Sequence, residues 1–236
     1  MKTAVVTGAS SGIGKEICRM LNGHGIRVYG IGRTFCEDQA AQTPLFIPII
    51  CDLSDTAALT GLIRRILSET PVDILINNAG TAYYGPHEEL NPQKIHEMVA
   101  VNLEAPLILT QLLLRSLKAQ QGAVINISSV TAKHSGNTHG CAYGATKAGL
   151  SSFTASLFEE VRKYGVRVVA IHPDMTRTGL YRNADFCCAE DQECALSPKT
   201  VARAVETALF ADSGCVITDI TLQPQKRKIL RKAKEK

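Results

Sequence analysis

Short apolar runs alternate along the chain with longer stretches in which apolar residues recur every three or four positions. The short runs are rich in β-branched residues and predict strands; in chain order they are TAVVTG, IRVYGIG, LFIPII, VDILINNAG, GAVINIS, VRVVAIHP and CVITDITL. The longer stretches predict helices; they are IGKEICRMLNGHG, LTGLIRRIL, residues 92–119, YGATKAGLSSFTASLFEEVRKYG and SPKTVARAVETALFA. In the last of these, Ser197 is placed to cap the helix and Pro198 to occupy its first position.

The strands are apolar at nearly every position. Such strands are buried on both faces, which is typical of a parallel sheet that is covered by helices on both sides. The pattern predicts an α/β fold of the doubly wound type, a three-layer α/β/α structure with a mostly parallel seven-stranded sheet. Ligands of such folds bind beyond the carboxyl ends of the strands, so the loops that follow the strands are the expected place for a site.

A single domain accounts for the length of the chain. The 236 residues contain no linker-like, low-complexity or repeated segment, so we expect one domain over residues 1–225 and a basic tail over residues 226–236. The start lacks the apolar core of a signal peptide, and Asn102, Glu104 and Gln111 interrupt the apolar region 98–114. The expectation is a cytoplasmic protein without a membrane span.

The positive charge is concentrated in the tail. Residues 226–236 hold seven Lys or Arg and one Glu, whereas the whole chain has a net charge of only +4, so the rest is slightly acidic. A general nucleic-acid-binding surface is therefore not expected. The tail is predicted to be a solvated, partly frayed end, with a docking strip for an acidic partner or a membrane surface as the alternative.

The eight cysteines do not form a recognisable metal-binding pattern. They are scattered and include no C-x-x-C, so we expect no metal site and interpret them as buried or loop thiols.

The turn after the first strand is rich in glycine. TGASSGIG places Gly8, Gly12 and Gly14 between a strand and a helix, in the spacing G-x-x-x-G-x-G. Glycines at such a turn permit a close approach of backbone N–H groups to a pyrophosphate at the N-terminus of the helix. The turn therefore predicts a site for a phosphate-containing ligand.

The stretch YGATK places a phenol and an ammonium four positions apart. In a helix, Tyr143 and Lys147 share one face, and a cation near a phenol lowers the pKa of the phenol from its usual value of about 10. Such a phenol exchanges protons near neutral pH. Taken alone, however, the pair also occurs in ordinary solvated helices.

Five motifs in this order resemble the short-chain dehydrogenase/reductase family. They are TGASSGIG, NNAG (77–80), VNL with Asn102, ISS (127–129) and YGATK, and the similarity extends over residues 3–222. The resemblance implies a Rossmann-like fold, binding of NAD(H) or NADP(H), and hydride transfer between the cofactor and a carbonyl or alcohol substrate.

The resemblance also implies roles for individual residues. Tyr143 matches the general acid/base, and Lys147 the residue that lowers its pKa and bonds the nicotinamide ribose. Ser129 matches the residue that holds the substrate oxygen, with Ser128 as the fallback, and Asn102 the residue that keeps a helix distortion and a proton-relay water in place. The implied cofactor-binding residues are Gly8, Ser10, Ser11, Gly12, Ile13, Gly14, Arg33, Thr34, Asp52, Leu53, Asn78, Ala79, Gly80, Tyr143, Lys147, Pro173, Thr176 and Thr178.

The residues after the second strand favour NADP(H), with NAD(H) possible. GIGRT presents Arg33, and no carboxylate follows until Glu37. An acidic residue here would bond the ribose 2′-OH of NAD, whereas arginine pairs with a 2′-phosphate, assisted by the Thr34 or Ser10 hydroxyl. A surface arginine without a ligand is the alternative. Asp52 resembles the family residue that bonds the adenine amino group.

Two positions depart from the family pattern. The spacing from Ser129 to Tyr143 is one residue longer than usual, so we expect the loop TAKHSGNTHGC to bulge into the substrate mouth. Asp174 occupies a position where glycine is usual, and we expect the turn to survive because Asp tolerates left-handed backbone.

The preferred interpretation is a ketone or aldehyde reductase that acts as a homodimer or homotetramer. Residues 179–196 would form a short substrate lid with an open or modest pocket, and Tyr83, Tyr84 and His139 are candidates to line it. The alternatives are a 3-oxoacyl-acyl-carrier-protein reductase and a non-catalytic NADP(H)-binding sensor. Helices at about 103–119 and 143–163 correspond to those through which family members pair.

Overall fold

Seven strands form one parallel sheet in the computed structural model, which describes residues 1–36, 43–134 and 136–232. The strands of the described residues are β1 Thr3–Thr7, β2 Arg27–Gly32, β3 Phe46–Ile50, β4 Ile74–Asn77, β5 Ala123–Ile127, β6 Arg167–Pro173, β7 Phe186–Cys188, β8 Asp219–Leu222 and β9 Ile229–Arg231. The large sheet has the order β3-β2-β1-β4-β5-β6-β8, and all its neighbouring pairs are parallel. The predicted sheet is thus confirmed, although its last strand begins only at Asp219.

The predicted helices are present with small shifts in their ends. They are α1 Gly12–Gly23, α2 Thr56–Glu69, α3 Pro92–Val99, α4 Ala105–Ala119, α5 Cys141–Val161 and α6 Pro198–Leu209. A five-residue π segment, Ala100–Glu104, joins α3 to α4, so the region 92–119 is helical throughout. Ser197 caps α6 by accepting a hydrogen bond from the Thr200 N–H, as predicted.

Helices cover both faces of the sheet. Successive residues of a strand point to opposite faces, so Ala4 and Val6 pack with α1 and α6, whereas Val5 packs with α2, α4 and α5. Each face therefore has its own apolar core. This two-sided burial is the physical reason that the strands are apolar at nearly every position.

The chain changes its winding direction at β1. It passes outward through β2 and β3, then returns to add β4 on the opposite side of β1. The connections that leave β1 and β4 consequently run to helices on opposite faces of the sheet, and ligands of such sheets bind at the carboxyl edge where these connections separate.

The region Pro92–Ala119 is, among the residues described, the one helical stretch long and apolar enough to cross a membrane by length and composition. Its residues Leu109, Leu113 and Leu117 are fully buried in the core. Packing inside the domain accounts for the apolar character of this face.

The beginning of the basic tail differs from the prediction of a frayed end. β9 pairs antiparallel with β7, with Phe186 opposite Arg231 and Cys188 opposite Ile229. The Lys232 N–H also donates to the Asp185 carbonyl at 2.7 Å. Backbone pairing orders the segment without needing a buried side chain; residues 233–236 of the tail lie outside the described residues.

Candidate active site

The glycine positions of the turn between β1 and α1 leave little room for a side chain. Gly8 and Gly12 have φ angles of 65° and 51°, in the left-handed region that favours glycine. A Cβ on Gly14 would lie 2.1 Å from the Gly8 carbonyl oxygen, and one on Gly8 would lie 2.8 Å from the Ala79 Cα. The glycines therefore let the turn close against both α1 and the loop after β4.

The loops after β1 and β4 are joined by hydrogen bonds. The Asn78 amide donates to the carbonyls of Thr7 at 2.9 Å and Gly8 at 3.2 Å, while the Thr7 hydroxyl accepts from the N–H groups of Asn78 and Ala79, both at 3.0 Å. Thr7 is thus part of the site's framework. The sequence offered no signal for it beyond its position before Gly8.

A cavity of about 820 Å³ opens at this edge of the sheet. Every residue predicted to bind the cofactor lines it except Gly14, which packs beneath the turn. Ser128 and Ser129 line the cavity as well, whereas Asn102 lies behind it. The residues fit a dinucleotide, because the glycine turn lets a pyrophosphate come close to its backbone N–H groups. The Ser11 side chain makes no cap hydrogen bond, so it does not occupy the N–H groups of the first turn of α1.

Tyr143 and Lys147 occupy successive turns of α5, and both are buried. The Lys147 Nζ lies 6.0 Å from the centre of the Tyr143 ring and donates to the Ile127 carbonyl at 2.8 Å. Burial raises the pKa of Tyr143 to about 12, opposed by a hydrogen bond with Ser129, and lowers the pKa of Lys147 to about 8. The expected lowering of the phenol pKa is therefore not found in this structure, because desolvation outweighs the favourable contacts.

The two serines after β5 have different partners. The Ser128 hydroxyl donates to the Lys147 carbonyl at 3.0 Å and lies 2.8 Å from the Ser151 hydroxyl, so it is engaged with α5. The Ser129 hydroxyl instead hydrogen-bonds Tyr143 and accepts from the Thr131 N–H at 3.2 Å. The structure therefore places Ser129 beside the phenol.

Asn102 ties the loop after β4 to the helices. It lies in the π segment and is fully buried. Its Oδ1 accepts from the Thr81 N–H at 2.8 Å, and its Nδ2 donates to the Thr81 carbonyl at 2.8 Å and to the Thr146 hydroxyl at 3.1 Å. Asn102 thus fixes the segment after Gly80 relative to the turn of α5 that carries Lys147.

Arg33 lies at the far end of the cavity. Its side chain is 59% exposed, and its Nη1 is 3.8 Å from the Glu97 Oε1, which is at the outer limit of an ion pair. Asp52 accepts from the Ser54 N–H at 2.9 Å and from the Ser54 hydroxyl at 2.7 Å, and these bonds lower its pKa. The arginine is thus accessible at the cavity end, whereas Glu37 lies outside the described residues.

The turn after β6 forms without left-handed backbone at Asp174. The non-glycine residues with positive φ in the described ranges are Gln121 and His139. Asp174 is held instead by its N–H, which donates to the Leu222 carbonyl at 2.9 Å, and by its Oδ1, which accepts from the Met175 N–H at 2.7 Å. The expected backbone geometry was therefore wrong, although the turn itself is formed.

Aromatic residues from three segments meet beside Tyr143. The ring of Tyr84 lies 5.8 Å from Tyr143 and 4.9 Å from Phe186, and Tyr181 lies 5.6 Å from Phe186. Only tertiary structure brings Tyr84 to residues 179–196, the segment expected to form the lid. Of these residues, Tyr143 and Tyr181 line the cavity.

The loop expected to bulge into the substrate mouth packs against the segment after Tyr84. The Gly85 N–H donates to the His139 carbonyl at 2.8 Å, and the Cys141 Sγ lies 3.3 Å from the His87 Nδ1. Ser135 of this loop lies outside the described residues. His139, which was a candidate to line the pocket, does not line the cavity.

No cluster of three or more His, Cys, Asp or Glu suited to a metal ion occurs in residues 1–36, 43–134 and 136–232. The free thiols include Cys18, Cys51, Cys141, Cys187, Cys188, Cys194 and Cys215.

Comparisons with known proteins agree with this geometry. The model of the family described as short chain dehydrogenase matches residues 2–185. An uncharacterised oxidoreductase of Staphylococcus epidermidis is 30% identical over 229 residues, which cover 94% of this chain and 97% of that protein. An NADPH-dependent 3-dehydrocapnine reductase of Ornithobacterium rhinotracheale is 33% identical, with coverage of 78% of this chain and 69% of that protein.

A solved structure shows the same likeness. A metagenomic short-chain oxidoreductase in complex with NADP superposes with a TM-score of 0.80 and 30% identity, and the match covers 94% of this chain and 97% of that one. The chain therefore belongs to the short-chain dehydrogenase/reductase family.

Proposed function

We propose that this protein transfers hydride between NADP(H) and a carbonyl or alcohol substrate, and that it works as a ketone or aldehyde reductase. The observation that carries the proposal is that Ser129, Tyr143 and Lys147 line the same cavity as Arg33, which follows β2, three strands away from β5 in the sheet. A bound NADPH supplies a hydride, and hence two electrons, to the carbonyl carbon. The protein supplies the proton that the carbonyl oxygen then needs.

Each catalytic residue has a separate role in the proposed reaction. The Ser129 hydroxyl donates a hydrogen bond to the substrate oxygen and holds it beside Tyr143. The Tyr143 phenol gives its proton to that oxygen as negative charge develops there, and the Lys147 ammonium stabilises the phenolate that remains. Because the pKa of Tyr143 is raised to about 12, its proton is present throughout the neutral range. Asn102 acts by holding the surrounding segments in place.

The preference for NADP(H) rests on Arg33. Its exposed guanidinium can pair with a 2′-phosphate in a bidentate manner, and the contact with Glu97 that it would give up is weak. The named relative that is NADPH-dependent and the solved relative that is in complex with NADP support this preference. NAD(H) remains the alternative cofactor.

The remaining features of the proposal concern organisation. Residues 1–225 would form one dinucleotide-binding and catalytic domain, to which residues 226–236 are attached as a tail. Val99 and Leu107 are exposed on the helices before and after the π segment, which suits pairing of two or four copies through this region. The free thiols are in keeping with a cytoplasmic location. Ultracentrifugation of the purified protein tests the oligomeric state.

The first experiment is a titration with NADPH and NADH by fluorescence, followed by absorbance at saturating cofactor against a panel of ketones, aldehydes and 3-oxoacyl thioesters. Wild-type turnover that falls at least about 1,000-fold in Tyr143→Phe supports the proposal. Turnover of thioesters alone would favour the acyl-carrier-protein alternative. Tight NADPH binding without any turnover would favour the sensor.

A further inference from the structure

His172 is a buried histidine of β6 that the reaction outlined above does not use. Its side chain is 1% exposed, and its Nδ1 lies 3.1 Å from the carbonyl oxygen of Ser129. A carbonyl oxygen can only accept a hydrogen bond, so Nδ1 carries the hydrogen and donates it. His172 does not line the cavity, so its contact with the site runs through Ser129.

This contact lies just beyond the end of the backbone ladder between β5 and β6. The last paired residues are Ile127 and Ile171, and the Ser128 N–H makes the last backbone bond, to the Ile171 carbonyl at 2.8 Å. The Ser129 carbonyl accepts from the Ala132 N–H at 3.1 Å, but that bond is local to the turn. The imidazole is thus the group that joins the Ser129 backbone to the neighbouring strand.

The other side of the imidazole faces an ion pair. The His172 Nε2 lies 2.8 Å from the Asp219 Oδ2. The angle between these groups does not suit a hydrogen bond, so the contact is one of proximity. The Asp219 Oδ1 lies 2.5 Å from the Lys133 Nζ. Lys133 directly follows the 3₁₀ turn Val130–Ala132, which Ser129 begins. Asp219, at the start of β8, therefore contacts two residues. One is His172, which bonds Ser129 at the start of this turn, and the other is Lys133, which follows the end of the turn.

We propose that His172 is a positioning residue that sets the place of Ser129 beside Tyr143 through its hydrogen bond to the Ser129 carbonyl. The inference rests on the proposed function, in which Ser129 holds the substrate oxygen. Without this bond, the Ser129 carbonyl keeps its local hydrogen bond from the Ala132 N–H but loses its link to β6. A displacement of the Ser129 hydroxyl lowers kcat, because the oxygen is then misplaced relative to the phenol, while NADPH binding is unchanged.

Two amide variants separate the two sides of the ring. In His172→Asn the side-chain amide occupies the place of Nδ1 and can still donate to the Ser129 carbonyl, whereas in His172→Gln the amide reaches toward Asp219 instead. With the panel carbonyl that the wild type reduces fastest, we expect the asparagine variant to keep kcat within about 3-fold and the glutamine variant to lose roughly 10- to 100-fold. The NADPH Kd should change less than about 2-fold in both, because residue 172 does not itself line the cavity.

A double-mutant cycle tests whether His172 acts through Ser129. His172→Leu should lower kcat in the wild-type background but have no further effect in a Ser129→Ala background, because the hydroxyl that it positions is then absent. Additive losses would overturn the inference. If His172→Leu does not fold, the comparison of His172→Asn with His172→Gln is the test. Equal kcat values in these two variants would overturn the inference. Failure of all three variants to fold would show a role in stability only.

Crystal structures of the asparagine and glutamine variants give a readout that does not depend on turnover. Ser129 should keep its place beside Tyr143 with asparagine and move away with glutamine. If the wild type reduces nothing in the panel, the proposed function fails, and these structures still decide the positioning inference. An unmoved Ser129 in the glutamine variant overturns it.

Discussion

The ammonium of Lys147 donates a hydrogen bond to the carbonyl oxygen of Ile127 at 2.8 Å, which ties α5 to the end of β5. The lysine is buried, and this burial lowers its pKa from 10.5 to about 8. Holding a cation there costs folding free energy, as expected for a group that is kept for function and not for stability.

The pKa of Lys147 makes a prediction about stability and pH. Its pKa is lower in the folded than in the unfolded protein, so the unfolded chain binds more protons between about pH 8 and pH 10.5 and stability rises with pH there. The cost is fully present below about pH 8. Relative to Lys147→Met, the wild type should therefore gain about 2–3 kcal/mol in its free energy of unfolding between about pH 7 and pH 10.

Urea unfolding of both proteins at the two pH values measures this change. Tyr143 is present in both, so the effect of its raised pKa cancels to first order. A difference between the two proteins that does not vary with pH would contradict a depressed Lys147 pKa.

Gly14→Ala should abolish tight NADPH binding and destabilise the fold. The new Cβ would lie 2.1 Å from the Gly8 carbonyl oxygen, so α1 and the turn must separate, at a cost of at least about 2 kcal/mol. Fluorescence titration and urea unfolding measure the two effects.

Gly23→Ala is the matched control on the same helix, because nothing lies within 4 Å of its Cβ position. It should bind NADPH like the wild type and be equally or slightly more stable. Wild-type affinity in Gly14→Ala would show that the turn does not need to close as the structure has it.

Arg33→Ala should weaken the binding of NADPH and leave that of NADH nearly unchanged. The side chain is exposed at the cavity end, and a lost charge-assisted pair with a phosphate corresponds to roughly a 10- to 100-fold increase in the NADPH Kd. Competitive titration with NADPH, NADH and 2′-AMP measures the preference. Arg19→Ala, which removes an exposed arginine paired with Glu16 outside the cavity, should change none of the three affinities.

Deletion of residues 226–236 should raise the KM of the carbonyl substrate without changing the NADPH Kd. β9 pairs with β7, and the Lys232 ammonium donates to the carbonyls of Tyr181 at 2.9 Å and Arg182 at 3.1 Å. The tail therefore holds the segment that carries Tyr181 at the cavity. We expect an increase in KM of roughly 3- to 30-fold, because few contacts are lost and all are at the surface.

Lys226→Ala is the control for the charge of the tail, since it removes an exposed ion pair with Glu193 but leaves β9 in place. Its KM should equal that of the wild type. If kcat and KM are both unchanged by the deletion, β9 has no part in the substrate site. Loss of all activity would instead favour the alternative in which the tail docks to a partner.

Local patterns in the chain predicted the large sheet and its helices, and the family resemblance that its motifs carry supplied most of the candidate site. The apolar runs and helical periodicities predicted the seven-stranded sheet, and Gly8, Tyr143 and Lys147 stand in motifs whose spacing carries their chemistry. These features depend on residues that are close in the sequence. A strand that is buried on both faces is apolar at nearly every position, and two residues four positions apart lie on the same face of a helix.

Tertiary structure alone decided the environment of these residues. The pKa of Tyr143 depends on burial, which no local pattern reports, and so it rose where the neighbouring Lys147 predicted a fall. The contact of Tyr84 with Phe186 and the pairing of β9 with β7 join segments far apart in the chain. Likewise, the sequence shows His172 only as a residue within an apolar strand. Its contacts with Ser129 and Asp219 arise because β6 lies between β5 and β8 in the sheet. Long-range packing sets these contacts, and a single sequence carries no local signal for them.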